Sequence, residues 1–200
     1  GTASDWNTVQ NFVAARTNKA QFVVGSNLIP LFQMGGICTG QYQRKKTYEV
    51  PHVYSWVTNN YWTTNFRASQ EGELRWNYYL TSDDDTSNTL ATRFGWASRI
   101  PFYARVMPEG KPNNQPAVYS AFRFNSDNLL MTSATPSKDE GYILINVREL
   151  DGKSTPLQIV DGTGETLEFL IVNAIEEPIQ KGLKETNFKP FENKFIKLKL

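Results

Sequence analysis

Large aromatic rings and side-chain amides are concentrated in one stretch, residues 54–79 (YSWVTNNYWTTNFRASQEGELRWNYY), which holds three of the five tryptophans. Two chemistries fit this combination. Tryptophan and tyrosine faces can stack on sugars while asparagine amides hydrogen bond to hydroxyl groups, or alternating rings can fill a β-sheet core while the asparagines form turns. Composition alone favours the core interpretation. Trp62 and Asn65 are the first residues to assign to a surface, because amides beside rings are poor fill for a dry interior unless they are fully paired.

Paired carboxylates are a second possible source of chemistry, because two acidic groups on opposite sides of a sugar are enough for glycoside hydrolysis. The candidates are Asp83, Asp84, Asp85, Glu71, Glu73 and Glu140. All lie in predicted turns, where acidic residues commonly serve solvation and helix capping. The sequence does not place any two of them at a catalytic separation.

Nucleophilic and metal chemistry have few candidate residues. The chain has one cysteine, Cys38, and one histidine, His52. A Cys–His pair stays open, although the spacing does not favour it. Because a zinc site needs about three or four His, Cys or carboxylate ligands, we expect no metal site and no cofactor in this chain. Phosphate-loop, GxSxG and HExxH patterns are absent from the sequence.

The bulk properties describe a folded globular chain of 200 residues with a formal net charge of +1. This charge argues against nucleic acid or an anionic membrane as the main partner. No apolar run approaches the roughly 20 residues of a membrane helix. The chain starts at Gly1 without a signal peptide or an initiator methionine, which suggests a piece cut from a larger protein.

Hydrophobic periodicity predicts many short strands and one helix. The helix is predicted over 87–97, after a polar segment suited to an N-cap. The predicted strands cover 5–13, 20–25, 29–34, 53–58, 61–67, 73–81, 118–124, 128–134, 141–149, 155–160, 167–173 and 192–199. Without βαβ alternation, this pattern predicts a mainly β protein with an antiparallel β-sandwich. We expect one region over 1–200, with a possible subdivision near the proline-rich loop at 108–116.

The central segment NNYWTTNFRASQEGELRWNYYL resembles part of the C-terminal β-sandwich region of bacterial glycoside hydrolase family 38, the α-mannosidase family. Three other segments are similar to that region in the same order: WNTVQNFV with IPLFQMGGICTG, then SDNLLMTSATPSKDEGYILINVRELDGKSTPL, then FKPFENKFIKLKL. There are departures. The segment 135–139 lacks a lysine before its proline, and Asn146 stands where relatives carry arginine, so a sugar contact from that arginine does not carry over.

The resemblance implies a galactose mutarotase-like supersandwich that packs on an N-terminal catalytic barrel and helps form the substrate cleft. It implies that the zinc ion and the nucleophile lie in that barrel, outside this chain. It also raises Asn59, Asn60, Trp62 and Asn65 as candidate carbohydrate-binding residues. No catalytic or metal-binding residue can be carried over to this sequence.

The leading hypothesis is a non-catalytic C-terminal domain of an α-mannosidase-like glycoside hydrolase, inactive on its own. Its expected partners are its own catalytic barrel and a mannoside-type glycan, and a periplasmic or secreted parent is favoured by analogy. One alternative is a free-standing carbohydrate-binding module. A weaker alternative is a mutarotase-like or lyase-like enzyme, for which the single His52 gives thin support.

Overall fold

The structure, a computed structural model, describes residues 6–37, 48–58, 65, 67, 69–100, 102–106 and 118–199. The chain divides into two compact units, Gly1–Tyr103 and Ala104–Leu200. The predicted subdivision at 108–116 lies outside the described residues. The described strands pair antiparallel and are accompanied by one described helix, which confirms the predicted mainly β class.

The first unit contains two three-stranded sheets and the helix. Its elements are β1 (Asn7–Thr8), β2 (Val13–Arg16), β3 (Gln21–Gly25), β4 (Leu31–Met34), β5 (Val53–Ser55), β6 (Tyr79–Asp83) and α1 (Asn88–Arg99). The sheets have the orders β1-β4-β5 and β2-β3-β6. Val13 and Val24 from the second sheet form a buried cluster with Ile29 and Phe32. Since Phe32 lies on β4, the two sheets pack face to face.

The helix α1 begins where the sequence predicts it. Ser87 is its N-cap, and its hydroxyl accepts a hydrogen bond from the Leu90 backbone N–H at 3.1 Å. The buried Gln21 on β3 donates through its amide to the backbone carbonyls of Asp85 and Ser87, which ties the helix start to the sheet. The helix covers the face of β2-β3-β6 opposite to the buried cluster, and Ala91 is buried there.

The second unit is a small β-sandwich. Its elements are β7 (Phe122–Phe124), β8 (Leu129–Pro136), β9 (Tyr142–Glu149), β10 (Thr155–Leu157), β11 (Ile159–Asp161), β12 (Phe169–Val172), β13 (Pro178–Leu183), β14 (Thr186–Phe188) and β15 (Asn193–Lys199). Five strands form one sheet in the order β13-β12-β15-β9-β8, and two ribbons, β10-β14 and β11-β7, face it. Their inner faces share one core, which includes Ile145, Phe169, Phe188 and Ile196.

Several predicted strands are wrong in their extent. The predicted strand 5–13 is two strands, β1 and β2, in different sheets. The predicted strand 155–160 breaks at Gln158, whose backbone N–H donates to the Asn125 side chain, so β10 and β11 pair with different partners. Both segments read as continuous because alternating polarity does not show where the hydrogen-bonding partner changes.

The predicted aromatic strands of the central stretch are also corrected. β5 is shorter than the predicted 53–58, and the predicted strand 73–81 has regular pairing only from Tyr79. The middle strand, 61–67, lies mostly outside the described residues, and Asn65 and Arg67 are not in a strand. Side chains 71–78 are exposed, so the aromatic alternation there has no described sheet to pack against. The ends of the stretch belong to different sheets.

Two strands were missed, β13 and β14. Their sequences, PIQKGL and TNF, are mostly polar and lack an apolar stripe. They form because their backbone groups complete ladders with β12 and β10, a partnership that side-chain periodicity does not reveal.

Candidate functional site

The described part of the aromatic stretch contributes to a ring cluster on the sheet β1-β4-β5. Val53 packs on the buried cluster, so alternation along the strand places Tyr54 and Trp56 on the opposite face. Trp56 continues the ladder, with its backbone N–H donating to the Leu31 carbonyl at 3.0 Å. The rings of Trp6 and Trp56 lie 4.5 Å apart between centroids and are tilted by 52°. We call Trp6, Tyr54 and Trp56 the aromatic face.

The aromatic face is bordered by polar side chains. Gln33 lies directly opposite Tyr54 in the strand register and is buried. The Tyr54 hydroxyl and the His52 Nδ1 atom are 3.2 Å apart, and the two rings meet edge to face. Half-buried rings beside the exposed His52 imidazole provide flat apolar surface together with a group that can hydrogen bond to hydroxyls, whereas Gln33, at 1% exposure, is closed to a ligand.

A second polar link ties the aromatic stretch together at its ends. The hydroxyls of Ser55 and Tyr78 are 2.7 Å apart, although the residues are 23 positions apart in sequence. Trp76, two residues before Tyr78, keeps 36% of its surface exposed. An exposed tryptophan on a segment fixed by such a link is a surface that a flat partner can contact.

Only one of the predicted carbohydrate-binding residues can be located. Asn65 is exposed, so its amide is open to a partner, while Asn59, Asn60 and Trp62 lie outside the described residues. Binding of carbohydrate by these four residues stays a prediction. Sequence reasoning left Trp6 outside the stretch, and no local pattern could have found its contact with Trp56, which depends on the long-range pairing of β1 and β5 with β4.

The candidate carboxylates serve local structure. Asp83 accepts a hydrogen bond from the Asp85 backbone N–H at 2.8 Å, and Asp85 accepts from the backbone N–H of Ser87 at the same distance. They therefore order the turn that leads into α1, as the sequence predicts for capping residues. Glu73 pairs with Arg75 at 2.6 Å on the surface. The other three candidates, Asp84, Glu71 and Glu140, are exposed.

His52 lies in a cleft of about 510 Å³ in the first unit. Arg16, Tyr48 and Glu49 also line it, so it offers cationic, anionic and hydroxyl groups. Cys38 is outside the described residues, and the open question of a Cys–His pair is not decided. Within the described residues, no group of three or more His, Cys, Asp or Glu could hold a metal ion, and no helix is long and apolar enough to cross a membrane.

The second unit contains a buried carboxylate, Glu149, at the end of β9. It accepts hydrogen bonds at 2.8 Å from the backbone N–H groups of Asp151, Gly152 and Phe191, and from the Asn128 amide. Burial disfavours the charged form, but the hydrogen bonds from Phe191, Asp151 and Asn128 outweigh it and lower the pKa of Glu149. This carboxylate fixes two turns, at 150–153 and 189–192, so its role is structural.

A second charged cluster lies on the outer face of the five-stranded sheet. Lys197 on β15 points away from the core and forms ion pairs with Asp139 and, at 3.2 Å, with Glu176. The hydrogen bond to Asp139, assisted by Glu176, raises the pKa of Lys197 against the effect of desolvation. The Ser137 hydroxyl, with the Lys138 backbone N–H and Lys197, lowers the pKa of Glu176. All of these pairings favour the charged forms.

No protein-family model matches the chain, and no curated protein matches it by sequence. Solved structures do match. A protein in the glycosyl hydrolase family 38 from Enterococcus faecalis has a TM-score of 0.63 and 14% identity, and an α-mannosidase from Enterococcus faecalis has a TM-score of 0.64 and 12% identity.

The matches cover nearly all of this chain but only a small part of each solved structure. Each covers 98% of this chain but only 23% and 22% of the two solved chains. The chain therefore spans less than a quarter of the length of the proteins that it resembles, and the likeness includes both of its compact units. At this level of identity the shared property is the fold: these 200 residues have the fold of one region of a family 38 glycosyl hydrolase and α-mannosidase.

Proposed function

We propose that this chain is a non-catalytic, C-terminal domain of an α-mannosidase-like glycoside hydrolase. It supports the catalytic barrel and helps form the carbohydrate-binding cleft. One observation carries the proposal: almost the whole chain superposes on less than a quarter of an α-mannosidase, which leaves most of that enzyme, including room for a catalytic domain, outside the match. The zinc ion and the nucleophile belong to that other part.

The chemistry of the described residues supports a non-catalytic role. The described candidate acids form turn and cap hydrogen bonds or lie exposed on the surface. The His52 Nδ1 atom lies 3.2 Å from the Tyr54 hydroxyl, in a cleft that is also lined by Arg16, Tyr48 and Glu49. A domain of this kind contributes surface and positioning, and the reaction takes place on residues of its partner.

The aromatic face, Trp76 and Asn65 provide a surface for the carbohydrate cleft. Half-buried rings, the exposed Trp76 and the exposed Asn65 suit a mannoside, whose C–H faces and hydroxyls need contacts with rings and amides. Asn59, Asn60 and Trp62 stay part of the proposed carbohydrate-binding set on the ground of their sequence motif alone.

The site assignment is tested by titrating methyl α-mannoside into the native full-length polypeptide and into Trp62→Ala and Asn65→Ala variants. Both variants should weaken binding by about three- to thirtyfold, since loss of one stacking or hydrogen-bonding contact costs about 0.5–2 kcal/mol. Asn187→Ala, an exposed amide on β14, is the control and should bind normally. Unchanged affinity in both test variants would remove these residues from the cleft.

A free-standing carbohydrate-binding module is the second candidate, and the exposed Trp76 and Asn65 favour it because such modules bind through surface rings and amides. The native open reading frame discriminates between the two functions. A barrel encoded upstream in the same frame supports the domain proposal. A frame that ends with these 200 residues, together with mannoside binding by the chain itself, supports the module.

A further inference from the structure

Two surface turns of the second unit are joined by several hydrogen bonds and ion pairs. The β8–β9 turn, residues 137–141, and the β12–β13 turn, residues 173–177, meet at Glu176. Its carboxylate accepts from the Ser137 hydroxyl and from the Lys138 backbone N–H, and the Lys138 ammonium donates to the Ile175 carbonyl at 2.8 Å. We call these two turns, together with β13, the braced edge.

The two turns of the braced edge are also linked to the central strand of the sheet. Lys197 lies on β15, the central strand, and only 5% of its surface is exposed. Its ammonium holds Asp139 of one turn and Glu176 of the other. A lysine is rarely buried to this degree unless it is fully paired, because removing its charge from water costs free energy. Here the buried ammonium fixes the geometry of two surface turns.

The backbone at Glu176 is also in an uncommon conformation. Its φ angle is +68°, in the left-handed region that favours glycine. Asn173 closes the turn around it, since its side-chain oxygen accepts from the backbone N–H groups of Ile175 and Glu177. Such a conformation persists only where the surroundings over-determine it, and it is frequent at sites of interaction.

The braced edge displays apolar side chains. Ile175, at the tip of its turn, is 60% exposed, and Ile179 on β13 is 65% exposed. β13 is the edge strand of its sheet and pairs only with β12, in a ladder with register shifts. Its other backbone edge has no described strand beside it. A rigid edge that carries exposed isoleucines is suited to bind an extended or flat apolar surface.

We propose that the braced edge is the surface on which the second unit docks against the catalytic part of the longer chain. The inference rests on the proposed function. The occupant follows from the matches, because more than three quarters of each matching structure lies outside the part that corresponds to this chain. We expect the partner surface to be apolar where it covers Ile175 and Ile179, while the neighbouring Asp139 and Glu176 are paired with Lys197.

The test is hydrogen–deuterium exchange of the native full-length polypeptide and of the 200-residue chain, measured over residues 174–182. The β13 amides that face away from β12 should exchange at least tenfold more slowly in the full-length polypeptide. Ile175→Glu should remove this protection. Val118→Glu, a change at another exposed apolar residue of the same unit, should leave the protection intact.

Equal exchange in the two proteins, with an α-mannosidase activity present in the longer one, would overturn the docking surface and leave the proposed function standing. If the native reading frame encodes no catalytic part, the proposed function fails and the docking inference fails with it. Protection that appears in the 200-residue chain and increases with its concentration would also overturn the proposal, because the occupant would be a second copy of the chain.

Discussion

The two units of this chain use their large side chains differently. In the second unit, phenylalanine, leucine and isoleucine side chains from both layers fill a common interior, and a buried carboxylate and a buried lysine fix its turns. In the first unit, the described buried cluster has only four buried residues, while all five tryptophans of the chain lie in the sequence of this unit. As part of the proposed function, we therefore assign the supporting role to the second unit and the carbohydrate surface to the first.

This contrast has a practical use, because tryptophan fluorescence reports only on the first unit. Amide exchange of β9 and β15 reports on the second. The two signals therefore separate the effects of mutations on the two units. They show whether each substitution changes the stability of the unit that contains it.

The largest expected effect follows from Glu149→Gln. The amide nitrogen replaces an acceptor and faces backbone N–H groups, so the free energy of unfolding of the second unit should fall by about 2–4 kcal/mol. The measurement is urea unfolding followed by amide exchange of β9 and β15. Glu165→Gln, an exposed carboxylate in the same unit, is the control and should change the stability little. A loss below about 0.5 kcal/mol would show that the cage around Glu149 contributes nothing.

Acid should act through the same carboxylate. Because the folded-state pKa of Glu149 is lowered, its contribution is fully present above its ordinary pKa of 4.5 and is lost as the pH falls through the folded-state value. Glu176 has a lowered pKa and acts in the same direction. We expect the unfolding free energy of the second unit to decrease below pH 4.5, and to decrease less steeply in Glu149→Gln. Parallel pH profiles for the two proteins would contradict this assignment.

Gly152→Ala should destabilise the second unit by about 2 kcal/mol. Gly152 has a φ of +71°, and an added Cβ atom would lie 2.7 Å from the Phe191 ring. Gly164→Ala is a matched control, since Gly164 has a φ of +95° but open space around it. The control isolates the backbone cost, so the difference between the two variants in thermal unfolding measures the clash. Equal losses would show that Phe191 moves aside freely.

Ser87→Ala should lower the stability of the first unit by about 1 kcal/mol, because the N-cap of α1 loses its side-chain acceptor. Tryptophan fluorescence during urea unfolding detects the change, since Trp96 lies on this helix. Ser87→Asp retains an acceptor and should restore most of the loss. Full stability in Ser87→Ala would mean that the link from Gln21 to Asp85 and Ser87 is enough to hold the helix start.

The sequence predicts the regular parts of this fold and misses what depends on distant partners. The helix and the long strands β8, β9 and β15 follow from periodicity and capping. The polar strands β13 and β14 do not, because their stability comes from backbone pairing. Alternating apolar residues predict the strands that form the core of the second unit. The buried ion pair of Lys197 with Glu176 is not predictable in this way, because no local pattern indicates that a lysine on an alternating strand is buried.

The candidate site is also predicted only in part from the sequence. Composition identifies the stretch from Tyr54 to Tyr79 as distinctive, and periodicity predicts the strands 53–58, 61–67 and 73–81 along it. The structure separates its ends into different sheets and adds Trp6 from elsewhere in the chain. Ring identity is visible in a sequence, whereas the neighbour of each ring is set by strand order and register.

The measurement that tests the account most directly is hydrolysis of an aryl α-mannoside by the pure 200-residue chain, beside the native full-length polypeptide at equal molar concentration. The proposed function predicts zinc-dependent turnover by the longer polypeptide and no turnover above background by the 200-residue chain. Zinc-dependent turnover by the 200 residues alone would contradict it, because the catalytic residues would then lie within this chain.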